Sequence, residues 1–282
     1  MLSGEHYVYQ ANTALNFTSV KDDRLSLRMW RHGSIAPSQT WHLRGPTLAA
    51  PPFNSMDFDG EVSKCSVSIS DYKQVGAFFF QTDGPEMYPG SRVRDVFYHC
   101  NDDALKLYYC NVTIRNATVW KVRNDPVIQM GWAARDLHGI RVAGLRVIHT
   151  RYCTSPDDNV PPAIIGASPF YSKGQTRRPD WTISAWLSDI VCEGACPALM
   201  HITPLQNYNL TIDSVAFPGG LQRNPLGLGR GEVRPAPGIR MGLRIKNWTV
   251  EGQAVGMRNF QSDKLGQFDI AAQYWGQWEI VP

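Results

Sequence analysis

The fold class this sequence predicts is all-β: a single-stranded solenoid, the parallel β-helix, running through residues 1–282. Three observations carry that prediction. A four-residue pattern recurs: a β-branched residue, any residue, a small or polar residue, then an apolar one. A second column of similar short segments runs beside it. No helical periodicity fills the gaps, and the tight hairpin turns that an antiparallel sandwich needs are not found.

Taken in order, residues 1–60 mix Tyr, Trp, Gly and Pro with short alternating runs such as Leu25-Ser26-Leu27-Arg28-Met29-Trp30, which read as strands and loops. Phe53-Asn54-Ser55-Met56-Asp57-Phe58 leads into the repeats. The pattern then appears as Ile69-Ser70-Asp71-Tyr72, Val93-Arg94-Asp95-Val96, Ile114-Arg115-Asn116-Ala117 and Val142-Ala143-Gly144-Leu145. It continues as Ile183-Ser184-Ala185-Trp186, Ile212-Asp213-Ser214-Val215 and Ile245-Lys246-Asn247-Trp248. The spacings of 24, 21, 28, 41, 29 and 33 residues fall in the range of solenoid coils.

The second column aligns Asn101-Asp102-Asp103-Ala104-Leu105-Lys106-Leu107 with Asn124-Asp125-Pro126-Val127-Ile128-Gln129-Met130, then with Pro162-Ala163-Ile164-Ile165 and Pro197-Ala198-Leu199-Met200. Alternation puts Leu105, Ile128, Ile164 and Leu199 on the inward face. Lys106, Gln129, Ile165 and Met200 then share the other face, which is polar near Asp102 and apolar further on. Residues 218–238, rich in Gly, Pro and Arg, read as a long surface loop, because the repeat resumes at Ile245. Tyr274-Trp275-Gly276-Gln277-Trp278-Glu279-Ile280 reads as a last strand covering the open end of the coil.

Composition narrows the function. The 282 residues are 43% hydrophobic and 19% charged, enough for a sizeable core. A net charge of +3 without a basic run argues against nucleic acid as a partner. No segment is apolar enough to span a membrane, and Met1-Leu2-Ser3-Gly4-Glu5-His6 lacks the apolar stretch of a signal peptide. The six cysteines (Cys65, Cys100, Cys110, Cys153, Cys192 and Cys196) form no Cys-x-x-Cys pair, so a metal site is not expected. Cys192 and Cys196 could close a small disulfide loop. Five Asn-x-Thr sequons, at Asn16, Asn111, Asn116, Asn209 and Asn247, lean towards a secreted, extracellular glycoprotein. Seven scattered histidines come without Gly-x-Ser-x-Gly, metal-type spacing or a phosphate loop. No cofactor is expected.

The candidate chemistry lies in Gln81–Tyr109. Asp83 and Asp102 are 19 residues apart, about one coil, and adjacent coils lie roughly 4.8 Å apart, so Asp83 would stand beside Asp102 and Asp103. Regular alternation would turn Asp103 inward with Leu105 and Leu107, where a lone carboxylate costs several kcal/mol. The strand is therefore expected to start after Asp103, with a turn that faces both acids outward. Lys106 would bind sugar hydroxyls or hold a neighbouring carboxylate ionised. Three close carboxyls cannot all ionise, so one keeps a proton and suits the general-acid role in glycoside hydrolysis. The plainer alternative is a turn at Asp102-Asp103 and a strand end at Asp83. Asp125 stacks on Asp102 in this alignment, but Pro126 after it marks an ordinary turn. Trp132 and Arg135, in Gly131–Asp136, could form a sugar platform, and Gln129 is a further candidate for binding substrate; for Trp132, core packing is the competing reading.

At these residues the chain resembles glycoside hydrolase family 49, the fungal dextranase and isopullulanase family, with a likeness strongest to the dextranases. The stretches that carry it are Gln81–Pro89, Asn101–Lys106, Asn124–Trp132, Ile148–Tyr152, Ile164–Tyr171, Val191–Gly194 and Ile202–Tyr208. The resemblance implies a right-handed parallel β-helix and inverting endo-hydrolysis of α-1,6 bonds in dextran. It implies a catalytic centre of Asp83, Asp102 and Asp103, with Asp102 as acid and the other two activating water. A monomer working on an α-glucan, with neither nucleic acid nor membrane as partner, is expected. Isopullulanase-type cleavage of α-1,4 bonds in pullulan, and glucan binding without cleavage, are the alternatives. The family's N-terminal β-sandwich and first coils would precede Met1, so the chain is expected to be the C-terminal part of the catalytic region. Polygalacturonases share a related three-Asp arrangement but carry a Gly-His-Gly that is absent here.

Overall fold

The computed structural model describes residues 2–3, 8–10, 40–49, 66–76, 82–85, 87–122, 126–148, 163–167, 176–194, 196, 198–221, 226–228, 237–258, 269–270, 274 and 276–281. Strands β1 (Leu2–Ser3), β2 (Val8–Gln10), β3 (Thr40–Arg44) and β4 (Thr47–Ala49) come first. β5 (Ser66–Val75) and β6 (Arg92–Cys100) follow, and from there short and long strands alternate. These are β7 (Leu105–Lys106), β8 (Thr113–Lys121), β9 (Ile128–Gln129), β10 (Leu137–Ile148), β11 (Ile165–Ala167), β12 (Arg178–Cys192), β13 (Met200–Ile202), β14 (Gln206–Phe217), β15 (Leu226–Leu228) and β16 (Met241–Val250). The last are β17 (Gln253–Ala254), β18 (Asp269–Ile270) and β19 (Trp278–Val281).

The long strands line up as one sheet in the order β1-β3-β5-β6-β8-β10-β12-β14-β16, and each is parallel to the next. The short ones make a second parallel sheet, β7-β9-β11-β13-β15-β18. From β6 to β19 each turn of the chain therefore passes once through each sheet, which is the parallel β-helix that the repeats predict. β19 adds to β16 in parallel, as expected of the tail. The runs at Leu25–Trp30 and Phe53–Phe58 lie outside the described residues.

Registers explain why the four-residue pattern works. Its first positions stack inward as Ile69, Val93, Ile114, Val142, Leu187, Ile212, Ile245 and Ile280, all buried. Each such side chain contributes roughly 1.5–3 kcal/mol by leaving water. Its fourth positions form the next stack, from Tyr72 and Val96 to Trp248. Simple alternation would not put residues three apart on the same side. The third position resolves this, because it adopts a positive φ in every coil from β3 to β16: Gly45, Asp71, Asp95, Asn116, Gly144, Asp189, Ser214 and Asn247. One left-handed residue shifts the alternation by one and bends the strand around the core. The Asn116 amide, for example, donates to Asp95 Oδ1 at 2.7 Å.

Three expectations need correction. The repeat in β12 is Leu187-Ser188-Asp189-Ile190, since Val142 pairs with Leu187, and Ile183 pairs with Leu137. Leu187 fills the inward slot without being β-branched, so a search for β-branched residues passes over it. The second column slips by one: Leu105 and Ile128 continue into Ile165 and Met200. The face beyond Lys106 and Gln129 therefore carries Gly166 and His201, not Ile165 and Met200. Aligning on proline caused the slip, and one residue of slip exchanges the faces. Finally, residues 218–238 are not all loop, because Leu226–Leu228 is a buried strand of the second sheet. Cys192 and Cys196, the candidates for a small disulfide, are both buried and lie within reach of each other.

Candidate active site

The acids sit where the chain enters the second sheet. Asn101 N and Asp102 N both donate to Thr82 O, at 3.0 and 3.1 Å, and Gly84 N donates to Asp103 O at 2.8 Å. These bonds lock the Thr82–Gly84 segment against Asn101–Asp103 of the next coil. Regular pairing begins only at Leu105, as predicted, so the three aspartates occupy the irregular backbone just before β7. Gly84 permits that approach: a β-carbon on it would lie 2.0 Å from Ala104 O.

Lysines and amides surround the carboxyls. Lys106 Nζ donates to Asp83 Oδ2 at 3.1 Å, and both side chains are nearly inaccessible. Gln129 Nε2 donates to Asp103 Oδ1 and the Tyr108 hydroxyl to Asp103 Oδ2, each at 3.4 Å. Asp102 Oδ1 accepts the Asp103 N–H at 2.9 Å. Lys121 comes from beneath and donates to the carbonyls of Asn101, at 3.3 Å, and Asp102. Gln74 Nε2 donates to Asp83 O at 2.8 Å. The acids were expected to face solvent openly; instead Asp83, Asp102 and Asp103 are 7%, 7% and 4% exposed. Neighbours that can donate hydrogen bonds, rather than bulk water, surround them.

Burial has an electrostatic consequence. It pushes Asp83 well above the ordinary carboxyl range, with Lys106 pulling against it and the charges of Asp102 and Asp103 adding to the rise. Asp103 is raised to about 7 by burial and then by Asp102, while Lys121, Lys106 and the Gln129 hydrogen bond oppose. The Lys106–Asp83 contact and the raised Asp83 point in opposite directions. Burial is the larger effect and prevails, so Asp83 and Asp103 favour sharing a proton over both being charged.

Of the site residues the sequence singles out, Lys106 and Gln129 join the three acids, and Lys106 partners a carboxylate. Trp132 is half-buried on the turn after β9. Arg135, on the same turn, lies over the Tyr108 ring at 4.3 Å. Asp125 lies outside the described residues. Sequence reasoning missed Lys121, Gln74 and Tyr108. Lys121 and Gln74 had a signal: each continues an inward alternation (Ala117, Val119, Lys121; Tyr72, Gln74), where a polar group must have a buried partner. Tyr108 had none, because it follows the strand.

Comparison with known proteins gives three family matches. Residues 172–281 match glycosyl hydrolase family 49. Residues 52–84 match the β-solenoid repeat from dextranase, and 120–152 the isopullulanase β-solenoid repeat. The chain is 57% identical over 281 residues to a dextranase of Talaromyces minioluteus, covering 99% of this chain and 46% of that protein. It is 40% identical over 230 residues to an isopullulanase of Aspergillus niger, covering 77% and 40%. It superposes on the solved structure of Dex49A from Penicillium minioluteum with a TM-score of 0.83 and 55% identity, covering 97% and 48%. The chain thus spans less than half the length of these relatives.

Proposed function

This chain belongs to glycoside hydrolase family 49, and from that premise we propose that it cuts α-1,6 bonds within dextran, with inversion, using Asp83, Asp102 and Asp103. The observation that carries the reading is the convergence of three aspartates from two coils on one enclosed cluster. Glycoside hydrolysis needs a carboxyl that gives a proton to the leaving oxygen and a carboxylate that takes one from water.

Hydrogen bonding supports the division of roles. Asp83 and Asp103 accept from Lys106, Gln129 and Tyr108, donors that pull against the raising effect of burial and so serve the ionised form. They act on the water. Among the described residues, the Asp102 side chain takes one hydrogen bond, on Oδ1, which leaves Oδ2 to meet the glycosidic oxygen. Asp102 acts as the acid. Lys106 and Gln129, expected to bind sugar, are instead buried and hold Asp83 and Asp103, which leaves half-buried Trp132 as the candidate sugar contact. An extracellular setting suits four sequon asparagines, Asn111, Asn116, Asn209 and Asn247, which are all exposed.

Asp102→Asn tests the reading. Release of isomalto-oligosaccharides from dextran is expected to fall by about a hundredfold or more while the thermal midpoint holds. Undiminished turnover would overturn it. Inversion is checked by the anomer first released, which NMR should show as β. The second reading, cleavage of α-1,4 bonds in pullulan, is favoured by the match of residues 120–152 to the isopullulanase repeat. Parallel assays on both polymers separate the two, and co-sedimentation with insoluble dextran without product would favour binding alone.

A further inference from the structure

The turn after β9 reaches Asp103 by two routes, through Gln129 and through Tyr108. Gly131 N donates to Gln129 Oε1 at 3.1 Å. That bond fixes which way the Gln129 amide faces, and its NH2 group is left to meet Asp103 Oδ1. Along the other route, Arg135 spreads its guanidinium over the Tyr108 ring and donates to Tyr108 O at 3.1 Å. Tyr108 is thereby held with its hydroxyl at Asp103 Oδ2. Arg135 is itself anchored, since its N–H donates to Gln206 Oε1 at 3.2 Å, from a strand 71 residues on. The turn cannot relax easily, because Gly131 has φ +124° and a β-carbon there would lie 2.7 Å from Arg135 Nε. Among the described residues Arg135 Nε is buried without a hydrogen-bond partner, a cost that packing elsewhere must offset. A turn that serves stability alone has no reason to carry that cost.

We propose that Arg135 and Tyr108 are positioning residues: Arg135 clamps Tyr108, and the Tyr108 hydroxyl, opposite the Gln129 amide, fixes both oxygens of Asp103 towards the attacking water. This rests on the reading of Asp103 as a base. Both donor contacts are longer than a full hydrogen bond, and catalytic contacts of this kind tighten when substrate fills the site. The groups facing Asp103 are Asp102, Asp83, Lys106 and Lys121 among the charged ones, with Tyr108 and Gln129 as neutral donors. Loss of the Tyr108 donor leaves the charged set in place, so its effect can be read separately.

The test uses Tyr108→Phe, Arg135→Leu and the double variant of the full chain. Two readouts are needed: dextran kinetics across pH, and the carbon-13 carboxyl titration of Asp103. Tyr108→Phe is expected to lower kcat about tenfold with KM within twofold. It should also move the acidic limb of kcat/KM, and the Asp103 titration, upward by about half a pH unit or more, since a donor to the ionised form is gone. Arg135→Leu should do the same, and the double variant should be no worse than the poorer single one. An unmoved Asp103 titration in Tyr108→Phe, or a loss confined to KM, overturns the proposal. If Arg135→Leu does not fold, Tyr108→Phe, which keeps the ring, decides alone. Should the chain not cut dextran, the carboxyl titration still decides the Tyr108–Asp103 linkage, and the hydrolase reading fails separately.

Discussion

Gly84 and Ala104 lie in neighbouring coils with no room between them for a β-carbon, which on Gly84 would stand 2.0 Å from the Ala104 carbonyl oxygen. The obstacle is backbone, so no rotamer change can relieve it. This closeness brings Asp83 beside Asp103. Gly84→Ala is therefore expected to push the two segments apart, break the Gly84 N to Asp103 O bond, and cost about 2 kcal/mol or more. Turnover on dextran should fall at least about tenfold, since small displacements of catalytic groups cost that much. Thermal unfolding and initial rates check both, and an unchanged midpoint would remove the close contact from the account.

Lys106 is the second point of leverage. Its ammonium lies 3.1 Å from Asp83 Oδ2, with both groups out of water. Removing one member of a buried pair costs about 3–5 kcal/mol, because the other is left uncompensated. Lys106→Met should destabilise the chain at neutral pH and less so in acid, where Asp83 can take up a proton instead. Adding Asp83→Asn to it should restore much of the stability and none of the activity. Urea titration of the two variants at pH 5 and pH 8 measures this, and equal losses at both pH values would argue against a charged pair.

Asp103 sets a pH dependence whose sign is fixed. Its carboxyl is raised to about 7 in the folded chain, chiefly by burial, against roughly 3.9 when unfolded. Between those values the folded state holds a proton that the unfolded state has released. The favourable contribution is complete below about pH 4 and is lost as pH rises towards 7. Asp103→Asn carries no such titration. The variant should gain stability relative to the parent steadily across that window, reaching a few kcal/mol at most, with a slope no steeper than about 1.4 kcal/mol for each step of one in pH. Parallel denaturant melts from pH 4 to 8 test it, and a constant difference would show that Asp103 titrates normally.

The sequence makes the coils legible wherever a strand keeps its inward residues apolar. Ile69, Val93, Ile114, Val142, Ile212 and Ile245 sit where their pattern puts them. Leu187 escapes because the core asks for an apolar shape rather than a branched one. The one-residue slip at Ile165 and Met200 has a different cause. A three-residue strand carries too little alternation to fix its own register, and its hydrogen bonds to the next coil decide it instead. The same limit hides Leu226–Leu228 among glycines and prolines. The acids are legible because their spacing matches one coil. Tyr108 and Arg135 are not, because a stacking contact between residues 27 apart leaves no periodic trace.

The bend ladder gives a test of the fold alone. Its positive-φ positions hold Gly, Asp or Asn in every coil except one, where Ser214 stands at φ 60°. Glycine meets no steric penalty there, and asparagine meets less than other side chains because its amide can bond locally. Ser214 lies between Asp189 and Asn247 in register, and the Asn247 amide donates to Asp213 Oδ1 at 2.8 Å. Ser214→Asn places an amide in that column, where Asn116 already bridges to Asp95. It should stabilise the chain by about 0.5–1 kcal/mol. Gly144→Val, at the same position two coils earlier, should destabilise by about 1–2 kcal/mol or more, because a β-branched residue is the poorest choice in the left-handed region. If thermal melts show Ser214→Asn neutral and Gly144→Val tolerated, the bend is held by the flanking strands and not by the residue that makes it.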